Sequence, residues 1–166
     1  MNTQVTFAGL LVAAALLVGG CSKRSAHSAW TSSDYIVIEP GVSIGPVHSG
    51  MTMQQVVAEL GEPDKKKDGV LVYRNLGLSV GTDKGGIVQT ALCGSGGIMK
   101  SFTGHTKEGI GIGASRAEVV GAYGKPTATE SSRGKSEFEI MKYSSLGVNF
   151  GLRDDKVRFI AVFFKP

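Results

Sequence analysis

The side chains able to do chemistry are few and scattered. The 166 residues include two cysteines, Cys21 and Cys93, and three histidines, His27, His48 and His105. A Cys–His nucleophilic pair needs its base within hydrogen-bond reach of the sulfur and a third group to orient the ring. No local signature surrounds Cys93, which ends an apolar run beside Gly94, so its expected role is that of a small, half-buried apolar residue. No C-x-x-C or H-x-x-x-H spacing occurs, so no metal site is expected. The acidic residues are dispersed, with no carboxylate pair of the glycosidase kind. Gly109-Ile110-Gly111-Ile112-Gly113 contains GxGxG ahead of a short helix. A dinucleotide fingerprint needs a preceding parallel strand, a long helix and an acidic residue about 20 positions on, so this run reads as a strand-to-helix turn. Lys65, Lys66 and Lys67 follow Pro63-Asp64 in what reads as a loop. They are either a solvated loop or a contact for an anionic surface, where each lysine is worth about 1 kcal/mol.

The other cysteine closes a leader. Residues 8–20, AGLLVAAALLVGG, are thirteen positions without a polar side chain. A membrane-spanning helix needs about 20 and a signal-peptide core about 7 to 15, so residues 1–20 read as a signal peptide. Val18-Gly19-Gly20-Cys21 resembles the lipobox of bacterial lipoproteins. The resemblance implies acylation of Cys21, with palmitate among the chains, as the covalent lipid that replaces any cofactor. Two or more acyl chains hold a protein stably on a membrane. Ser22 after the cysteine resembles an outer-membrane sorting signal. Residues 21–33 have no apolar periodicity and read as a lipidated N-terminus and flexible tether. Trp30 in that tether either dips into the lipid interface or docks on the domain. With Cys21 lipidated, Cys93 has no partner within the chain for a disulfide.

Composition bounds what the tether carries. Charged residues are 19% and apolar ones 42%, which excludes a disordered polyelectrolyte. The formal charge of +4 is spread out and not interleaved with stacking aromatics, so no nucleic-acid partner is expected. Three of the 24 glycines lie in the first 20 residues. The remaining share, about twice the usual one of roughly 7%, favours short strands and tight turns over long helices.

An internal repeat organises the rest. Gly50, Thr52, Val56, Val57, Leu60, Gly61 and Pro63 recur 63 positions later as Gly113, Ser115, Val119, Val120, Tyr123, Gly124 and Pro126. Tyr73, Leu76, Gly77, Leu78, Gly81 and Ile87 recur 70 positions later as Tyr143, Leu146, Gly147, Val148, Gly151 and Val157. The seven-residue difference places an insertion in the polar, loop-like residues 127–136.

Each copy predicts the same elements. Thr52-Met53-Gln54-Gln55 and Ser115-Arg116-Ala117-Glu118 fit the capping box, and a helix of about two turns follows, too short to stand without packing on a sheet. Gly61 and Gly124 are placed for left-handed helix ends, and prolines two positions on stop the helix. Three strands follow in each copy: 70–73, 76–80 and 87–92, then 138–143, 146–150 and 157–164. Gly77 and Gly147 suggest bulges or close backbone approach. Residues 35–38 predict a further strand on one edge. The expected fold class is α+β: two tandem helix-plus-three-stranded antiparallel meander units sharing a core or sheet. The divisions are 34–92 for the first repeat, 93–105 for a glycine-rich connection and 106–166 for the second. The last strand is apolar on both sides after Ile160, so both of its faces are expected to be covered.

Gly50-Met51-Thr52 with Val56, Leu60-Gly61, Pro63 and a strand ending in Tyr73 resembles the unit of the SmpA/OmlA/BamE-like envelope lipoproteins. Two units in tandem resemble the architecture of the β-lactamase inhibitory proteins. The resemblance covers about residues 44–92 and 107–164, and its motifs carry a fold and not an active site. The lipid address, with Ser22 pointing to the outer membrane, a repeat made of structural motifs and the lack of a nucleophile–base signature together lead to the expectation of a lipoprotein facing the periplasm, acting as a non-enzymatic protein-binding or scaffold module for an envelope partner. A small-ligand or enzyme-inhibitor module using the groove between the repeats is the alternative, and an enzyme dependent on Cys93 is a third reading from a different class.

Overall fold

The computed structural model describes residues 36–94, 99–132 and 137–165. The leader, Cys21, His27, Trp30 and the tether lie outside the described residues, as does the connection at 95–98.

Both helices begin where the hydroxyl caps fall. Thr52 starts α1 (Met53–Leu60) and Ser115 starts α2 (Arg116–Tyr123), each with a complete capping box. Val56 and Leu60 of α1 and Val119 of α2 are buried, while the opposite sides face solvent. Each helix stops at a glycine whose N–H reaches back four residues, Gly61 to Val57 and Gly124 to Val120, both at 2.8 Å. The dihedrals differ from the left-handed ones expected. Gly61 has φ 81° and ψ −173°, and Gly124 φ 75° and ψ −161°, a region essentially confined to glycine.

The fold class inferred from sequence is corrected by the sheets. The chain is predominantly β, built on an eight-stranded and a four-stranded sheet, and it is not a pair of helix-plus-three-strand units. After α1 come β4 (Lys65–Lys67), β5 (Val70–Tyr73), β6 (Leu78–Thr82) and β7 (Val88–Gly94). After α2 come β9 (Ala128–Ser132), β10 (Phe138–Tyr143), β11 (Val148–Arg153) and β12 (Lys156–Phe163). The extra strand in each half, β4 and β9, reads as loop in the sequence because neither segment has the apolar alternation of a strand. Both are strands because they fold back on apolar partners, β4 on β5 and β9 on β10. The first of these hairpins spans nine residues (65–73) and the second sixteen (128–143), so the seven-residue insertion is a longer hairpin.

The eight strands run antiparallel in the order β4-β5-β6-β7-β12-β11-β10-β9. The halves join at the centre, where β7 pairs with β12 through Cys93 opposite Ile160. The inner face, under both helices, holds the core: Leu71, Val80, Met141, Phe150, Ile160 and their neighbours are essentially inaccessible. Gly77 and Gly147 precede β6 and β11 and do not interrupt them; both have positive φ. The register shifts come four residues later, at Gly81/Thr82 and Gly151/Leu152.

The strand expected at 35–38 does not extend an edge of the large sheet. β1 (Val37–Glu39), β2 (Ser43–Ile44), β3 (Val47–His48) and β8 (His105–Thr106) form the second sheet, with β8 parallel to β1. Its segments interlock the repeats. Lys100 N donates to Arg74 O and Phe102 N to Gly94 O, so the chain leading into the second repeat covers the Gly77 turn of the first. Reciprocally, Lys165 N donates to Gly41 O, and a Cβ at Gly147 would lie 2.9 Å from the Gly41 Cα.

Candidate functional site

The residues singled out for chemistry do not assemble. Cys93 is fully buried, its Sγ 3.6 Å from the Ile160 carbonyl oxygen. Burial pushes its thiol up to about 12, so the thiolate that a nucleophile needs is suppressed. His48 Nδ1 lies 2.8 Å from the Ser49 carbonyl, and His105 Nδ1 the same distance from the Thr106 carbonyl. Among the described residues no three His, Cys, Asp or Glu side chains group as metal ligands would.

The glycine loop before α2 borders an open depression of about 570 Å³ with His105, Glu118 and Lys156 on its walls. It is not built for an anion. Glu118 Oε2 accepts from Ser115 N at 2.7 Å and from Ser115 Oγ at 2.6 Å, placing a carboxylate where an anion would sit. Those hydrogen bonds hold the Glu118 carboxyl below its usual range.

The repeat residues are structural. Tyr73 OH donates to Gly61 O at 3.2 Å, and Tyr143 OH to Gly124 O at 2.9 Å. In each half the tyrosine ending the apolar strand therefore latches the helix terminus of its own repeat. Thr52 and Ser115 cap the helices, and Pro63 and Pro126 follow the terminal glycines. Gly50 and Gly113 carry positive φ of 79° and 93°, and a Cβ at either would meet no atom within 4 Å, so their need is conformational. In the second half Tyr123, Tyr143 and Phe150 pack with ring centroids 5.4–5.8 Å apart. Arg116 grips both carboxylate oxygens of Glu139 and reaches Asp155 at 2.6 Å, tying α2 to the sheet and raising the Arg116 pKa.

What remains is the sheet face turned away from the helices. Its residues follow from the pairing: Lys65, Val72, Ser79 and Leu92 of the first repeat continue through Ala161, Asn149 and Lys142 of the second. The neighbouring row carries Lys67, Val70, Thr90 and Phe163. Val70 and Leu92 are each 39% exposed and Phe163 is 44% exposed. The expectation that both faces of the last strand are covered is corrected: Phe163 lies open because both helices pack on the other side. Phe138 and Phe159 stack edge to face at 5.4 Å, and the Arg153 guanidinium lies 4.4 Å from the Phe138 ring centroid. A shallow depression of about 320 Å³ lies between Lys142, Asn149 and Phe163.

Lys65, Lys66 and Lys67 stand on this sheet's edge strand and not in a loop. Lys65 and Lys67 share the outer face with Val72 and Val70, while Lys66 pairs with buried Leu71. Sequence reasoning missed Leu92 and Phe163 as site residues. Their signal was the apolar residue on the side of each strand that should be polar.

No protein-family model matches the sequence, and no curated protein matches it. Among solved structures, the chain is similar to a DUF4309 family protein from Bacillus subtilis at 12% identity and a TM-score of 0.48, covering 69% of this chain and 78% of that one. It is also similar to an extracellular protein containing a SCP domain from Bacillus anthracis, at 13% identity and a TM-score of 0.46, over 70% of this chain and 44% of that one. A cysteine-rich secretory protein from Staphylococcus aureus matches at 14% identity and a TM-score of 0.47, over 78% and 47%. The chain thus spans less than half the length of the last two.

Proposed function

We propose that this chain is a lipid-anchored envelope lipoprotein acting as a non-enzymatic protein-binding module, which holds an envelope protein against the uncovered face of its large sheet. The observation that carries the reading is that face. A solvated antiparallel sheet face is ordinarily polar, yet Val70, Leu92 and Phe163 stand open on this one. Exposed apolar surface rimmed by polar residues marks interaction sites. The anchor rests on the lipobox at Cys21, and an outer-membrane position facing the periplasm rests on Ser22 after that cysteine.

The other readings find less support. The repeats meet edge to edge in continuous β7–β12 pairing, which leaves little of a groove between them for a small ligand. Thiol chemistry requires a thiolate that burial of Cys93 opposes, so Cys93→Ser should leave function intact.

Amine-reactive crosslinking in cells followed by mass spectrometry tests the proposal. The expected crosslinks join Lys65, Lys67 or Lys142 to one envelope protein. Crosslinks confined to Lys107 and Lys125, away from the face, would overturn it.

A further inference from the structure

The same face carries a charge pattern that specifies more than apolar contact, and the nature of its occupant rests on the binding role proposed above. Lys65 and Lys67 project from β4 at one end, and Lys142 and Arg153 from β10 and β11 toward the other. Leu92 and Phe163 lie exposed between them. Among the described residues Glu130, opposite Ile140, shares the face and is held by Lys142 at 2.6 Å, and Asp68 in the turn after β4 lies 3.7 Å from Lys67 Nζ. Two separated cationic ends therefore flank an apolar centre, four cations against two local carboxylates.

We infer that the occupant is a protein segment with apolar residues at its centre and carboxylates on both flanks, lying across the strands. Strands sit about 4.8 Å apart, so the six steps from β4 to β10 cover about 29 Å, which about nine extended residues span at roughly 3.3 Å each. Opposite charges at the rim set orientation and speed association, while the apolar centre supplies affinity. An anionic membrane fits less well. Adjacent strands twist by about 20–25°, so the two cationic ends of an eight-stranded sheet point in different directions, and a flat lipid surface meets only one of them.

The test is selection of displayed random peptides of about twelve residues on the purified full chain. Enriched peptides should carry Asp or Glu on both sides of an apolar stretch. A synthetic representative should lose about tenfold or more in affinity on Lys65→Glu/Lys67→Glu and weaken further at high salt. The lysine pair and Leu92 are exposed, and an unchanged melting temperature confirms that their variants fold. Peptides that need Leu92, as shown by loss of binding to Leu92→Asp, but lack carboxylates would overturn this inference and leave the binding face standing. Peptides indifferent to Leu92→Asp, or no enrichment at all, would overturn both. Vesicles of phosphatidylcholine and phosphatidylglycerol form the remaining arm. Sedimentation of the protein with them that Lys65→Glu/Lys67→Glu abolishes and peptide does not compete would assign the lysines to lipid and overturn the inference.

Discussion

Two glycines three residues apart in the second repeat should answer the same substitution with opposite signs. Gly121 lies inside α2, exposed and at ordinary helical dihedrals, while Gly124 ends the helix with φ 75° and ψ −161°. A Cβ at either position meets no atom within 4 Å, so steric clash is removed from the comparison and only backbone preference remains. Gly121→Ala should stabilise by about 0.5–1 kcal/mol, because alanine loses less conformational freedom in a helix. Gly124→Ala should cost about 1–3 kcal/mol, the usual strain of a side chain in that region. It also pulls on the carbonyl that accepts from Tyr143 OH. For a chain of this size about 3 °C in melting temperature corresponds to 1 kcal/mol. Circular dichroism melts should therefore rise by about 2–3 °C for Gly121→Ala and fall by about 3–9 °C for Gly124→Ala. A Gly124→Ala protein melting with or above wild type would refute the assigned helix terminus, and so would a lowered melt for Gly121→Ala.

The core, the interlock and the anchor each carry a prediction of their own. An unfolded thiol ionises near 9 and a phenol near 10, whereas burial holds Cys93 and Tyr73 up to about 12. Raised values favour the folded state while the groups stay protonated, so their contribution is full below about pH 9 and declines from there to about pH 12. Denaturant midpoints should fall over that window, less so in Cys93→Ala and Tyr73→Phe, and a flat midpoint would contradict this. Residues 106–166 alone lack the Gly41 contact and the β7 partner of β12, so they should be insoluble, whereas the full chain should melt in one transition. A soluble fragment with a cooperative melt would show that the repeats are independent. Cys21→Ser should abolish labelled-palmitate incorporation and release the protein from the membrane fraction, and persistent labelling would remove the anchor from the account.

Local signals were legible where one residue type satisfies one backbone need. Thr52 with Gln55 and Ser115 with Glu118 announce their helices because the hydroxyl and the third residue cap each other's orphan N–H groups. Gly61 and Gly124 announce the ends, although the positive φ came with an extended ψ that spacing alone does not distinguish. Pairing was less legible. Nothing in Lys65-Lys66-Lys67 favours a strand by itself; it forms one because Val70–Tyr73 offers a partner across a two-residue turn at Asp68 and Gly69, both with positive φ. Strand preference of this kind reflects neighbours more than the residues themselves. The same three lysines blunt an edge that would otherwise invite association. The outer face was hidden for a related reason. Phe163 reads as core in any strand apolar on both sides, and only the placement of both helices on one face shows that it is open.

If this open face is where a partner binds, a probe on it will meet that partner and a probe on the helix side will not. A photoreactive amino acid introduced at Leu92, and separately at Glu59 on the exposed side of α1, compares the two surfaces in living cells. A discrete crosslinked adduct with an envelope protein is expected from position 92 and none from position 59. Adducts from position 59 alone, or equal adducts from both, would contradict binding at this face.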